Sequence, residues 1–349
     1  MAVLLTAACV VASCGGGNAG TATKRTPRSV AATTTTTTAP PVPTAPETGL
    51  PDPGGQSSAR PALWAKVENT PDARPQSGLA VADVVYEQVT EGDITRFVVL
   101  FNSQIPDVVG PIRSVRVMDP DVVAPLGGVF AYSGGIQPTI DLINAAPVNA
   151  VDETAAGDAM FRDPTKYAPH NLFGHGAQLL ALGGKPVPIV PLFNYVGRTK
   201  KFAGDAVLSV VVGFPSGYSV GYDFDAVSNT WKRSMGGAPF LDASGQQIAP
   251  TNVIVQFVGC CLDGYEGARY QTVGSGDAWV FSAGQVVKGT WQRSDRSQPT
   301  RFVDTAGQPI SLTPGRTWVE FVPIGTPVDV LAAPAATTVP AAPSTKENR

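Results

Sequence analysis

Six consecutive threonines, Thr33–Thr38, run on into a stretch of Pro, Ala and Thr. Nothing from Gly15 to about Arg60 buries enough apolar surface to offset the entropy of ordering it. That tract sends the folded part of the chain downstream. Residues 14–59 read as a disordered, partly polyproline-like tether, and residues 326–349 as a disordered tail without a hydrophobic block. The 349 residues suggest about two domains, placed at 60–196 and 200–325. Hydrophobic residues, 43% of the chain, suffice for a real core.

Ahead of the tether, residues 1–13 (MAVLLTAACVVAS) form an apolar run without a charge. A spanning helix needs about 20 such residues, so the run has the length of a signal-peptide core instead. It ends in Val11-Ala12-Ser13-Cys14-Gly15, an aliphatic residue and two small ones before a cysteine. That is the pattern of a bacterial lipoprotein cleavage site, where Cys14 would carry a diacylglycerol. Its two acyl chains suffice for stable anchoring to a membrane. Cys9 fits less well, because Thr6 stands where an aliphatic residue is preferred. No basic segment precedes the apolar run, so the natural start is expected further upstream.

Net charge is −3 and no Lys/Arg run occurs, which sets nucleic-acid binding aside. The four cysteines and two histidines match no zinc spacing, and HExxH is absent. No metal or cofactor is expected, and oligomeric state is not legible.

In the first folded part, Ala62–Val67, Ala82–Val89 and Ile94–Asn102 read as strands, the last two joined across Thr90-Glu91-Gly92-Asp93. Met118–Leu126 reads as a helix, Gly128–Ser133 as a strand, Pro138–Asn144 as a helix, Val148–Val151 as a strand and Gly174–Leu182 as a helix. The mixture predicts an α+β fold, with a mixed α/β N-terminal domain. Polar residues gather at the strand ends: Glu87, Glu91 and Arg96 on the first hairpin, then Arg113, Ser114 and Arg116. An extended backbone would point Arg113 and Arg116 apart; one helical turn would bring them together. Ser133-Gly134-Gly135 leaves a strand for a helix, where free N–H groups hold anions. Arg162 and His170-Asn171 complete the candidate ligand-binding set. The three arginines Arg113, Arg116 and Arg162 suit a carboxylate or phosphate, although Glu87 and Glu91 could simply pair with them and with Arg96, so that these charges satisfy one another. Ser114 or Ser133 with His170 makes no triad, and the Gly-x-Ser-x-Gly elbow is missing. His175, five residues after His170, adds no metal register.

The second part is β-rich and reads as internally duplicated. Trp231-Lys-Arg-Ser234 recurs as Trp291-Gln-Arg-Ser294, and Phe240-Leu-Asp242-Ala-Ser-Gly245 as Phe302-Val-Asp304-Thr-Ala-Gly307. Ile254–Val258 then recurs as Trp318–Val322. Two such halves predict an all-β C-terminal domain, a sandwich or open barrel. Cys260 and Cys261 adjoin. Neighbouring Cα atoms lie about 3.8 Å apart, whereas disulfides prefer about 4.4–6.8 Å, so either a strained bridge or two buried thiols is expected.

Several motifs in order resemble the YerB-like lipoproteins, a family catalogued as a domain of unknown function. They include Lys66-Val-Glu-Asn69, Glu91-Gly92-Asp-Ile-Thr95-Arg96-Phe97, Gly110-Pro-Ile-Arg113-Ser114-Val-Arg116, Tyr132-Ser133-Gly134-Gly135 and Pro169-His170-Asn171. In the second half, Gly289-Thr290-Trp291, Pro299-Thr300-Arg301-Phe302 and Pro314-Gly315-Arg316-Thr317-Trp318 add to them. The resemblance spans about residues 60–323. It implies an exported lipoprotein with an α/β domain and a β domain, and no activity.

The leading functional expectation is a lipid-anchored, extracytoplasmic binding module for an anionic or glycan ligand of the cell envelope, its partners being the membrane and a cell-wall component. The alternatives are a wall-acting enzyme using Glu87, Glu91 or His170, and a structural assembly factor.

Overall fold

The computed structural model describes residues 42–183, 189–197, 200–214, 217, 219–260 and 269–334. The signal segment, Cys9, Cys14 and Cys261 lie outside them.

Three strands form the centre of the N-terminal part: β1 (Leu63–Glu68), β2 (Val84–Val89) and β3 (Thr95–Phe101). β2 and β3 are rich in β-branched and aromatic residues, and β1 and β3 are buried along their whole length. Near-continuous burial means that both sheet faces are covered. β3 lies between β1 and β2, antiparallel to each. Val129–Ala131 adds to β1 in parallel, and Asn149–Val151 adds beyond it. α2 (Asp119–Val123) and α3 (Gln137–Asn144) are the short helices expected near those positions. Gly174 and His175, expected at the start of a helix over Gly174–Leu182, belong to the strand Leu172–His175, and the helix begins only at Gly176.

The C-terminal part is largely strands, as expected, but it does not form a separate core. Its strand Thr317–Pro323 pairs in parallel with β2, Thr317 opposite Val84 and Glu320 opposite Glu87. One sheet therefore runs from Ala238–Pro239 through the C-terminal strands, across Thr317–Pro323 and β2, to Asn149–Val151. It curls far enough for Arg233, on Thr230–Met235, to reach Glu87 on β2.

The two Asp–Gly turns of the proposed repeat carry the same bonds: Gly245 N–H to Asp242 O and Ile248 N–H to Phe240 O, matched by Gly307 to Asp304 and Ile310 to Phe302. Their strands sit differently, Thr230–Met235 next to the sheet edge and Gln285–Arg293 in its interior. The fold therefore does not establish the duplication.

Two boundaries change. Residues 42–59, expected in the tether, pack against the body. Glu47 and Thr48 are buried, Gly315 N–H bonds Thr48 O, and Gln56–Ala59 forms α1. The Pro-rich composition hid a strap whose bonds are made with distant residues. Val328–Ala332, expected in the tail, is a strand paired with Asp205–Gly213.

Candidate functional site

The pleat of β1 to β3 sorts the polar residues onto two faces. Gln88 and Glu68 both stand opposite Arg96, whereas Glu87 stands opposite Phe97. Lys66, Glu68, Gln88 and Arg96 therefore share one face, and Glu87 lies on the other.

Glu87 belongs to a buried network. Its Oε2 lies 2.5 Å from Arg233 Nη2, and its Oε1 accepts from Thr95 Oγ1 (2.6 Å) and Asn69 Nδ2 (3.2 Å). Arg233 Nε donates to the Tyr222 hydroxyl, which donates to Glu320. The Arg233 guanidinium also stacks on Phe240 (4.2 Å) and Trp318 (4.8 Å). Burial and the neighbouring Glu87 push the Glu320 carboxyl far above its ordinary value. Arg233 and Glu87 are wholly buried, so the expectation that Glu87 binds ligand is corrected: its carboxylate is spent holding the curled sheet together.

On the opposite face Lys66 forms a fully buried ion pair with Asp119 at 2.7 Å. Asp119, at the start of α2, also accepts from Gln88 Nε2 (2.6 Å) and from the Arg116 backbone N–H (2.7 Å). Burial pushes the Lys66 ammonium down to about 8, opposed by Asp119. This pair fixes the segment carrying Arg113, Ser114 and Arg116 over the sheet.

Three guanidinium groups then meet. Arg96 Nη1 and Arg116 Nη1 both donate to Ser114 O (3.3 Å each). Arg116 Nε also donates to Glu91 Oε2 at 2.8 Å. Arg113 Nη1 donates to Pro169 O at 3.2 Å, and its Nε lies 3.4 Å from Glu68 Oε1, close but not aligned for a hydrogen bond. Burial first, and repulsion from Arg116 and Arg113 next, hold the Arg96 guanidinium down to about 10. The buried Nε donors of Arg96 and Arg113 have no hydrogen-bond acceptor among the described residues, a costly state for a buried donor.

Beside them, His170 Nδ1 lies 2.9 Å from Glu68 Oε2, and Thr70 Oγ1 donates to Glu68 Oε1 at 2.9 Å. A carboxylate only accepts, so Nδ1 carries the hydrogen and Nε2 keeps a lone pair when the ring is neutral. Tyr167 packs edge-on against the ring at 5.2 Å.

The site thus joins Glu91, Arg96, Arg113, Ser114, Arg116 and His170. Ser133, Gly134 and Gly135 adjoin it, but not as an anion-holding turn. Ser133 N–H is used on Arg113 O, Gly134 O accepts from Val115 N–H, and α3 begins only at Gln137. Arg162 is also corrected. It forms a bidentate pair with Glu153 (2.8 and 2.6 Å) and donates to Asn171 Oδ1, so its charge and that amide are engaged with each other. Glu68 and Thr70 were missed. Their signal was Lys66 and Glu68 two apart in a strand otherwise apolar, which places two charges on one buried face. Cys260 is disulfide-bonded, which excludes a free buried thiol there; the other cysteines lie outside the described residues.

A curled sheet built from two interlocked parts, with a rim of arginines at one end, defines a two-part α+β module. The chain belongs to the family described as "Protein of unknown function (DUF3048)". The N-terminal domain of that family matches residues 47–185 and the C-terminal domain residues 210–319. It is 28% identical over 291 residues, 80% of this chain and 86% of the relative, to the Bacillus subtilis (strain 168) protein named "Putative lipoprotein YerB". Its fold resembles a crystal structure of YerB protein from Bacillus subtilis, with TM-score 0.72 and 23% identity over 82% of this chain and 99% of that one.

Proposed function

We infer that the chain is a lipid-anchored lipoprotein on the extracytoplasmic face of the membrane, whose N-terminal part binds an anionic group of the cell envelope. The lipoprotein name of the Bacillus relative and the Val11-Ala12-Ser13-Cys14 motif support the anchor. The observation that carries the binding reading is the pair of buried Nε donors on Arg96 and Arg113 that make no hydrogen bond among the described residues, set beside Arg116. Planar guanidinium forks of this kind match carboxylate or phosphate oxygens. Glu68 and Glu91 balance part of the charge of the rim.

The test is a thermal-shift titration of the full chain with inorganic phosphate and with isolated envelope fractions. A shift that disappears in Arg113→Ala supports the reading. A shift of equal size in that variant, or none in the parent, removes it.

The Glu68–His170 pair favours a second reading, in which His170 Nε2 acts as a general base on the bound group. Glu68, not Glu87 or Glu91, is then the orienting acid. Turnover of an envelope ester that is abolished by both Glu68→Gln and His170→Asn would favour it over binding alone.

A further inference from the structure

Two clefts flank the segment 190–196 that joins the family's two domains. One, of about 940 Å³, lies between that segment, the strap at 44–51 and Phe202. The other, of about 600 Å³, lies between the same segment and residues 298–312. Pro191, Phe193 and Asn194 line both, so the two make a double depression divided by a shared wall. Each is large enough for a drug-sized ligand, and side by side they suit one long enough to cross the wall between them.

The depression is preformed. Val196 N–H bonds Leu312 O, Leu312 N–H bonds Asn194 O, and the Tyr195 hydroxyl donates to Glu47 O at 2.5 Å.

Its charge departs from that of the molecule. The chain carries net −3, yet no Asp or Glu is among the described residues lining either cleft, while Lys200, Lys201 and Arg301 are. All three are exposed and belong to no ion pair among the described residues. Glu47 belongs to the strap but is wholly buried, and burial pushes its carboxyl up to about 8, so it is mostly neutral near pH 7 and does not offset them. Between the cations stand exposed amides, Asn194 and Asn229 in the first cleft and Gln292 and Gln298 in the second. Tyr195, half-buried, lines the first cleft, whereas Phe202 beside it is buried.

We propose that this depression binds a linear acidic polysaccharide, a site distinct from the arginine rim. Amide side chains both donate and accept, as sugar hydroxyls do. The cations take its carboxylate or phosphate groups. An acidic peptide fits less well, because the wall spends backbone groups of Asn194 and Val196 on Leu312 and offers no free ladder for strand addition.

The test is calorimetric titration of the full chain with alginate oligomers, against neutral amylose oligomers and polyglutamate. The parent should bind alginate best. A Lys200→Ser/Lys201→Ser/Arg301→Ser variant should lose roughly tenfold in affinity, as three exposed charge contacts would. Arg113→Ala should leave this binding unchanged, so failure here is separable from failure at the rim. No alginate binding by the parent, equal binding by the triple variant, or tighter binding of polyglutamate or amylose overturns the proposal.

Discussion

Glu87 and Arg96 lie on adjacent strands yet on opposite faces of the sheet, because Glu87 stands opposite Phe97 and Arg96 opposite Gln88. One residue of register separates a carboxylate that locks the two parts together from a guanidinium that faces the candidate site. Arg233→Ala, which leaves Glu87 buried without its cation, should cost about 3–5 kcal/mol. The combined change Arg233→Met/Glu87→Leu should recover most of that loss. Urea unfolding of the two variants against the parent checks both signs.

At the rim, Glu68 competes with a ligand for Arg113. Glu68→Gln keeps the shape of the side chain and removes its charge. Anion affinity should rise a few-fold, whereas Arg116→Ala should lower it. Phosphate titrations read at fixed ionic strength decide between them.

Burial pushes the Glu47 carboxyl up to about 8 from an ordinary 4.5. A raised carboxyl is protonated in the folded chain while ionised in the unfolded one. Its contribution is therefore whole below about pH 4.5 and is lost as pH rises through about 8. Melting temperature should fall across that window in the parent and fall less in Glu47→Gln.

Much of this architecture was legible in the sequence. Alternating and apolar runs revealed β1 to β3 and the short helices, because local periodicity and burial agree there. The strap at 42–59 was not legible, since its stability comes from bonds such as Gly315 to Thr48 rather than from its own composition. In the candidate site, the arginines and His170 were found by residue type. Glu68 was passed over and Glu87 misplaced for the same reason: which face a strand residue occupies depends on pairing between strands, and no single strand contains it.

The placement of the protein rests on Cys14. Intact mass of the membrane-extracted protein should show a chain beginning at Cys14 with acyl groups attached. Cys14→Ser should leave an unacylated chain that is no longer retained by the membrane fraction.

The most direct check of the arginine rim is the side-chain N–H resonances of Arg96 and Arg113 Nε during a titration with inorganic phosphate. Both should shift together and saturate, while the Arg162 signal, already paired with Glu153, stays in place. Signals of Arg96 and Arg113 that do not move, or that move only in step with Arg162, would contradict an anion seated at this rim.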